Sequence, residues 1–280
     1  MSSTQPASCR IGDYLVTVLS DGYMEASLSL LSGIGETDAQ AIQTEAGIAA
    51  PGNIEINGFL IRGRGHTILV DSGTGGINNA GGQLLPSLQK AGVTPDDIDT
   101  ILLTHCHPDH IGGLLDSHGN KVFNRATLFL HPLEAEYWLD DTHQQAATER
   151  GKRNFAFARQ VLKTYGEQRK FFSDGDVIEG ISPVLLAGHT PGHTGFHIKA
   201  ENGGLLIWGD IVHFPYIQSM HPDVFVAFDV DHIQAEQTRA QIFSQAATQQ
   251  LLVAGMHFAH AGFAHIHPSE NGYRIEYLQG

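Results

Sequence analysis

The segment from Thr104 to Gly113 constrains this chain more than any other, because it carries three histidines and an aspartate within six consecutive positions. It follows an apolar, β-branched run of strand type, and loops at strand ends are where folds place their chemistry. In an extended segment alternate side chains share one face, so His105 and His107 can hold one ion. Asp109 and His110 point differently and can hold a second ion. Neutral imidazole and carboxylate are ligands that Zn, Fe and Mn accept.

A less specific interpretation is that these are ordinary polar loop residues in a chain with 17 histidines. We favour a metal site because every member of the cluster is able to ligate an ion. The two cysteines, Cys9 and Cys106, are too few for a disulfide framework, and pairing them would distort the segment. We therefore predict two free thiols. Cys106 as a metal ligand is disfavoured, because strand alternation turns it to the opposite face.

The pattern His105-Xaa-His107-Xaa-Asp109-His110 resembles the signature of the metallo-β-lactamase superfamily. Further stretches that match this family are Val70-Asp71-Ser72-Gly73, Gly188 to Gly195, Gly209-Asp210 and Gly255-Met256-His257. The resemblance runs from Tyr14 to Leu278 and implies the α+β class. It implies an αββα sandwich, in which two mixed β-sheets pack face to face with helices outside. We expect a single domain, residues 1–280, with two αβ halves at about 13–180 and 181–280.

The resemblance also implies roles for individual residues. It implies His105, His107 and His193 for one ion, Asp109, His110 and His257 for the other, and Asp210 as the bridging carboxylate. A carboxylate can bridge two ions because it has two oxygens. Asp71 is expected to support the ligands, and His189 to hold its loop or a neighbouring ligand. His260 and His265 stay open as alternatives for the last ligand, although His257 directly follows its strand as the other ligand groups do.

Local patterns predict the remaining elements. Residues 13–20 alternate as a strand with Asp21-Gly22 as its turn, and two further strands form a hairpin at 54–62 and 66–70. Helices are predicted at 82–91, 133–140, 154–165 and 231–249. Segment 23–51 has no clear period, which predicts a long loop with a short helix. This loop either overhangs the site or is ordinary surface.

The bulk composition excludes some partners. With 280 residues, of which 41% are hydrophobic, the chain can bury a sizeable core. A formal net charge of -14 gives no general attraction to nucleic acid or to an anionic membrane. The polar N-terminus lacks a secretory pattern and no segment approaches the roughly 18 apolar residues of a membrane span, so we expect a cytoplasmic protein. The oligomeric state is left open, with a homodimer as one alternative.

The function implied by the resemblance is that of a dinuclear metal-dependent hydrolase. Two divalent ions would share a water and lower its pKa toward about 7, with zinc as first choice and Mn, Fe or Co as alternatives. The metal-bridging hydroxide would attack an ester-like substrate, and Asp109 would also move a proton. The expected partner is a small organophosphate triester, lactone or aryl ester, with no nucleic acid and no membrane.

In detail the chain is most similar to the methyl parathion hydrolase group, through Leu19 to Gly22, Thr104 to Gly113, Gly188 to Thr194 and the closing His257 to His265. Quorum-quenching lactonases commonly carry a tyrosine three residues after the bridging aspartate, where this chain has His213. A protonated His213 can donate to an oxyanion, which makes it a catalytic candidate beside Asp109 and Asp210. The alternative is a loop histidine without a role.

Aromatic residues predict a pocket for an apolar or aryl substrate. Those that flank the expected site in sequence, with part of them in the core, are Phe214, Tyr216, Phe225, Phe228, Phe258 and Phe263. Trp138 is expected in the core, with a pocket wall as the alternative.

Other activities stay open on the same motifs. A mononuclear iron sulfur dioxygenase of this fold would bind one iron and consume oxygen. A β-lactamase or thioesterase-type hydrolase shares the order of motifs. A non-catalytic metal-binding module is disfavoured because all seven ligand positions are intact. A flavodiiron oxygen reductase is disfavoured because that relative has Glu where this chain has His107.

Overall fold

The computed structural model describes residues 6–201, 203–259 and 262–278. Its strands are β1 (Ser8–Ile11), β2 (Tyr14–Glu25), β3 (Leu31–Ser32), β4 (Asn53–Gly63), β5 (His66–Val70), β6 (Thr100–Leu102), β7 (Thr127–Leu130), β8 (Arg169–Phe171), β9 (Ile181–Leu185), β10 (Thr194–Ile198), β11 (Leu205–Ile207), β12 (Phe225–Val226), β13 (Leu252–Ala254), β14 (Phe263–Ser269) and β15 (Gly272–Tyr277). Its helices are α1 (Glu36–Glu45), α2 (Leu84–Lys90), α3 (Pro108–Ile111), α4 (Pro132–Leu139), α5 (Asp141–Ala146), α6 (Glu149–Tyr165), α7 (Pro215–Met220) and α8 (His232–Gln249).

The strands form two large mixed sheets. The first has the order β1-β2-β4-β5-β6-β7-β8, antiparallel from β1 to β5 and parallel from β5 to β8. The second has the order β15-β14-β13-β11-β10-β9, with β11 and β13 parallel and the other neighbours antiparallel. β3 and β12 pair in a small separate ribbon.

Alternate residues of β4 show how the layers are arranged. Phe59 and Ile61 lie in the core between the two sheets, whereas Leu60 faces the outer core with Phe155 of α6. This alternation is the period of two that a strand imposes. The outer side of the second sheet is covered by α8 through residues such as Phe243. The layers are therefore helix, sheet, sheet and helix, which confirms the predicted αββα sandwich.

The two sheets draw on separate parts of the chain, residues 8–171 and 181–277. That residues 1–280 form a single domain of two such halves stays a prediction. Cys9 and Cys106 are free thiols as predicted, and Cys106 is buried in the outer core beneath the first sheet. No helix in the described residues has the length and apolar character needed to cross a bilayer.

The turn predicted at Asp21-Gly22 is wrong. β2 continues through this dipeptide, and its register with β4 shifts there, which marks a β-bulge. The Asp21 carboxylate is buried and accepts the backbone N–H groups of Thr74 and Leu84 at 2.8 and 2.7 Å. Pairing with β4 outweighs the local turn preference of Asp-Gly. Asp21 thereby ties the loop after β5 to the start of α2.

Two local predictions are confirmed, and the ends of two helices show ordinary capping. β4 and β5 form the expected hairpin, and segment 23–51 contains the expected short helix, α1. Gly92 follows α2 with a φ of +74°, a left-handed conformation that suits glycine. Asp231 caps α8 by accepting the backbone N–H of Gln234 at 3.0 Å. The loops that follow β6, β9, β11 and β13 carry the site described next.

Candidate metal centre

The loops after β6 and β9 bring three imidazoles together. Nδ1 of His107 lies 2.9 Å from Nε2 of His105 and 2.9 Å from Nε2 of His189, and the two Nε2 atoms are 3.2 Å apart. Ligand nitrogens at about 2.0–2.1 Å from a tetrahedral zinc ion are separated by about 3.3 Å, so this triangle has the size of a metal site. We call His105, His107 and His189 the first group.

His193 was expected in this group by resemblance, and the structure does not bring it there. Its Nδ1 donates to the backbone carbonyl of Leu186 at 2.9 Å, and its Nε2 accepts the backbone N–H of Asp210 at 2.9 Å. Both ring nitrogens are engaged, so His193 has no lone pair left for an ion. The geometry corrects the expectation: His189 is the third imidazole, and His193 connects its loop to Asp210.

A second group consists of Asp109, His110, Asp210 and His257, whose ligand atoms lie within 4.8 Å of one another. Nε2 of His110 and Nε2 of His257 are each 3.1 Å from Oδ2 of Asp210. Oδ2 of Asp109 is 3.5 Å from His110 Nε2 and 3.9 Å from His257 Nε2. The structure therefore brings together the residues that were expected to share the second ion.

His260 and His265 were the alternatives to His257 as the last ligand. His265 lies on β14, where it pairs in register with Leu252 and Glu276. It belongs to none of the candidate ligand groups in the described residues. The alternative His260 lies outside the described residues.

Asp210 lies between the two groups. Its Oδ2 contacts the second group at 3.1 Å and is 3.5 Å from Nε2 of His189 and 3.7 Å from Nε2 of His105. Its Oδ1 is buried and has no hydrogen-bond partner among the described residues. A buried carboxylate oxygen without a donor is costly unless a cation compensates it. The carboxylate therefore suits a position between two ions.

Hydrogen bonds behind the imidazoles decide which nitrogen faces the site. His110 Nδ1 donates to Asp71 Oδ2 at 2.6 Å, the supporting contact expected for Asp71. His257 Nδ1 donates to a backbone carbonyl of β4 at 2.7 Å, and His105 Nδ1 donates to the Thr104 hydroxyl at 3.0 Å. That hydroxyl in turn donates to Asp71 at 2.6 Å. Because each Nδ1–H is used as a donor, each Nε2 faces the site, where it can bind an ion once it has lost its proton.

The charges of the site also suit a cation. Burial lowers the pKa of His105 and His107 well below the usual value, which keeps both imidazoles neutral, the form that binds metal. Burial alone would raise the pKa of Asp210, but the imidazoles of His110 and His257 lower it well below the usual range. Burial lowers the pKa of His110, yet the surrounding carboxylates raise it well above normal. The site thus attracts positive charge, which divalent ions supply.

Glu134 of α4 fastens the two histidine loops to each other. Its buried carboxylate accepts the indole N–H of Trp138 at 3.0 Å and the hydroxyl of Thr190 at 2.9 Å. It also accepts the backbone N–H of Cys106, and burial raises its pKa while these hydrogen bonds lower it in part. A Cβ at Gly192 would lie 2.4 Å from the Glu134 backbone nitrogen, so the second loop requires glycine at this contact.

A cavity of about 1470 Å³ opens onto both groups, and His107, Asp109 and Asp210 line it. Its aromatic wall is formed by Tyr23, Tyr137, Trp138, Phe155, Phe157 and Phe228. Trp138 is 2% exposed and lines the cavity with its ring 5.5 Å from that of His107, so it is both core and wall. Residues 22–25, at the end of β2, also line the cavity, so the start of the long segment borders the site.

The predicted aromatic pocket is only partly correct. Phe228 lines the cavity. The other five candidates point elsewhere: Phe214, Phe258 and Phe263 into the core, Tyr216 against Tyr277, and Phe225 against His232. Proximity in sequence did not identify the wall, because most of it comes from α4, α6 and the start of the long segment.

His213 lies beside Asp210, with its Nε2 3.2 Å from Asp210 Oδ2 and its ring stacked on that of His257. Burial lowers the pKa of His213 to about 4 even though Asp210 acts to raise it. The ring is therefore neutral near pH 7, and its Nε2–H donates to Asp210. This disfavours the protonated oxyanion donor considered for His213, and a catalytic role for this residue stays a prediction.

Comparison with known proteins identifies the family. A sequence model of the metallo-beta-lactamase superfamily matches residues 52–257. The chain belongs to the metallo-beta-lactamase superfamily. All the residues of both groups lie within the matched part. The resemblance based on the histidine motif is therefore confirmed.

Two solved structures of this superfamily fold are similar over nearly the whole chain. The hydrolase AbOPH has a TM-score of 0.91 and 28% identity, covering 100% of this chain and 99% of that one. AidC, a dizinc quorum-quenching lactonase solved with a product, has a TM-score of 0.90 and 27% identity, covering 99% of each chain. The similarity therefore extends over both sheets and nearly the whole chain.

Curated relatives match over a shorter stretch. An N-acyl homoserine lactonase of Bacillus thuringiensis is 25% identical over 175 residues, which are 55% of this chain and 62% of the relative. A hydroxyacylglutathione hydrolase of Aeromonas hydrophila is 29% identical over 157 residues, which are 54% of this chain and 44% of the relative. The chain thus spans about three fifths of the length of the first and less than half of the second.

Within this superfamily framework, two site residues were missed or misjudged from sequence. His189 lies in the second motif, Gly188 to Gly195, so the sequence did point to this loop. The choice between His189 and His193 depends on the distances between their ring nitrogens and the other imidazoles. Asp229 accepts the Nδ1–H of His189 at 2.8 Å across 40 residues of sequence. No local pattern marks Asp229.

Proposed function

We propose that this chain is a dinuclear metallo-hydrolase that opens a lactone or cleaves a related ester. The observation that carries the proposal is the position of Asp210, whose Oδ2 lies within 3.7 Å of imidazole nitrogens from both groups. The proposed ligands are His105, His107 and His189 for one ion, Asp109, His110 and His257 for the other, and Asp210 between them. His189 takes the place first given to His193.

When bound, two divalent ions lower the pKa of a water molecule and polarise the bond under attack. The proton is handled by Asp109, whose carboxylate borders the cavity. Burial would raise the pKa of Asp109, but the neighbouring His110 lowers it below its usual range, so Asp109 is ionised. Ionised Asp109 can accept the proton of the attacking water and return it to the leaving oxygen as the acyl–oxygen bond breaks.

His213 is proposed to orient Asp210 during this reaction. Its neutral ring donates from Nε2 to Asp210 Oδ2 at 3.2 Å, and Phe228 packs on the ring from the cavity side at 5.3 Å between centroids. Fixing Oδ2 through His213 leaves the second oxygen, Oδ1, free for an ion. This role differs from that of an oxyanion donor, which would require a proton on the ring.

The substrate proposal rests on the cavity and on similarity. A large cavity with an aromatic wall and few polar groups at one end suits a ligand with an apolar acyl or aryl part and one reactive ester. Similarity to AidC and to the Bacillus thuringiensis enzyme, both lactonases by name, favours a lactone. Aryl esters and phosphotriesters are the second candidates, since the same cavity accepts their apolar groups. Zinc is the first-choice metal for this set of imidazoles and carboxylates.

Metal analysis of the purified protein, paired with a hydrolysis screen on the same sample, tests the proposal. The panel contains a homoserine lactone, an aryl ester, an aryl phosphotriester and a β-lactam, and a chelated and reloaded sample is the control. We expect two ions per chain and turnover of the lactone or an ester, lost on chelation and restored on reloading. A chain that binds one iron, hydrolyses none of the panel and consumes oxygen with a sulfur substrate would overturn the hydrolase proposal in favour of the dioxygenase.

A further inference from the structure

A buried carboxylate outside the proposed ligand set contacts the first group. Asp229 lies between β12 and α8, and its side chain is 1% exposed. Its Oδ1 accepts the Nδ1–H of His189 at 2.8 Å, and its Oδ2 accepts the backbone N–H of Val226 at 3.2 Å. The ring of His189 is thereby held with its Nε2 toward His105 and His107. No motif and no proposed step of the reaction uses Asp229.

The backbone around Asp229 is joined to the histidine loop as well. Val230 donates its backbone N–H to the carbonyl of His189 at 3.0 Å, and Asp231 donates to the carbonyl of Gly188 at 2.9 Å. The segment and the loop therefore keep a fixed distance, and the carboxylate approaches the ring from a defined side. Phe228 and Val230 line the cavity, so the same segment forms part of its wall.

Arg239 of α8 fixes this arrangement from behind. Its side chain is 1% exposed, and its guanidinium lies 3.8 Å from Asp229 Oδ2. It donates to the carbonyls of Ile211, Pro222 and Val224 at 2.8, 2.6 and 2.8 Å. A planar guanidinium can serve several acceptors at fixed angles, which an ammonium group cannot. Arg239 therefore connects the segment after Asp210 with the segment that carries Asp229.

We propose that Asp229 is the positioning residue of His189, and that Arg239 holds Asp229 in place for this role. The inference rests on the proposed function, because it takes His189 as a metal ligand. A carboxylate that accepts the second N–H of a ligating histidine fixes its tautomer and orientation and makes the ligand more basic. Asp229 would thereby strengthen binding of the ion at the first group and leave the ion at the second group unaffected.

The test compares Asp229→Asn and Asp229→Ala with the parent chain in a competition titration of zinc against a chelator. We expect one of the two ions to bind roughly tenfold to a hundredfold more weakly, with the larger loss in Asp229→Ala. In cobalt-substituted protein we also expect the visible spectrum of one ion to change. Loss of a loop contact elsewhere in the fold would leave that spectrum unchanged. Thermal melts establish that each variant is folded.

Asp99→Asn is the matched control. Asp99 likewise accepts a histidine Nδ1–H, from His66 at 3.2 Å, and a backbone N–H, from Thr67 at 2.7 Å. It lies at the opposite end of β6 from the histidine motif, and its side chain is 43% exposed. Zinc affinity and the cobalt spectrum should match the parent. If Asp229→Asn does not fold, Arg239→Lys decides the question. This substitution keeps the positive charge but replaces the planar guanidinium with an ammonium group. We expect the same ion to bind more weakly than in the parent chain.

The outcomes separate the inference from the proposed function. If the parent binds two ions, His189→Ala loses one, and the folded Asp229 variants keep parental affinity and spectrum, the positioning role is overturned and the hydrolase proposal stands. If the parent binds no ion at the first group, both fail. Weakening of one ion in the Asp229 variants, with Asp99→Asn unchanged, supports the inference.

Discussion

His107 and His189 face each other across the metal centre, with 2.9 Å between Nδ1 of the first and Nε2 of the second, although 82 residues separate them in sequence. His189 donates its other ring N–H to Asp229. The nitrogen that faces His107 therefore carries a lone pair. This arrangement fits the proposed cation between these two nitrogens and His105. The two histidines of the second motif can therefore be distinguished by experiment.

His189→Ala should remove one of the two metal equivalents and most of the activity. His193→Ala should keep both ions but lower the stability, because it leaves the buried Leu186 carbonyl and Asp210 N–H without partners, at about 1–3 kcal/mol for such a group. Metal analysis and thermal denaturation of both variants measure this. Loss of an ion from His193→Ala with both ions kept in His189→Ala would restore the original assignment of His193.

Asp210→Ala should remove most of the metal and nearly all activity, because its carboxylate contacts imidazole nitrogens of both groups. Metal content and turnover are measured on the same sample. Asp13→Ala is the control, since it removes only an exposed ion pair with Arg64 on the protein surface. A variant of Asp210 that retains its full metal content would refute the bridging position.

His257→Ala should lose one metal equivalent, the ion of the second group, while the first group stays loaded. His265→Ala is the matched control, because this histidine lies on the neighbouring strand β14 and is not part of either group. Metal stoichiometry after dialysis against zinc measures both. If His265→Ala loses the ion and His257→Ala does not, the choice of the last ligand is incorrect.

Gly112→Ala should destabilise the fold by about 1–3 kcal/mol through overpacking. A Cβ at this position would lie 2.0 Å from the backbone oxygen of Thr74, while the φ of −62° is ordinary for any residue, so the effect is steric. Thermal unfolding measures the loss. Gly35→Ala is the control, because its Cβ would lie 3.5 Å from the nearest atom and its φ is −72°. Equal melting temperatures for the two variants would contradict the prediction.

Much of the architecture follows from local pattern. Alternation predicts β2 and the hairpin of β4 and β5, and it predicts correctly that Cys106 is turned away from His105 and His107. The supporting role of Asp71 could be predicted from the family motif, and in the structure its carboxylate accepts the Nδ1–H of His110. The continuation of β2 through Asp21-Gly22 could not be predicted, because this dipeptide has a turn preference that only pairing with β4 overrides.

The sequence by itself identified the family and predicted that His105 and His107 share a site, because backbone periodicity decides which neighbouring side chains share a face. The tertiary structure decided between His189 and His193, brought Asp229 and Arg239 behind the first group, and built the cavity wall from α4 and α6. These contacts join loops that are 40 to 82 residues apart. No local periodicity reaches so far, and the packing of the two sheets sets the distances.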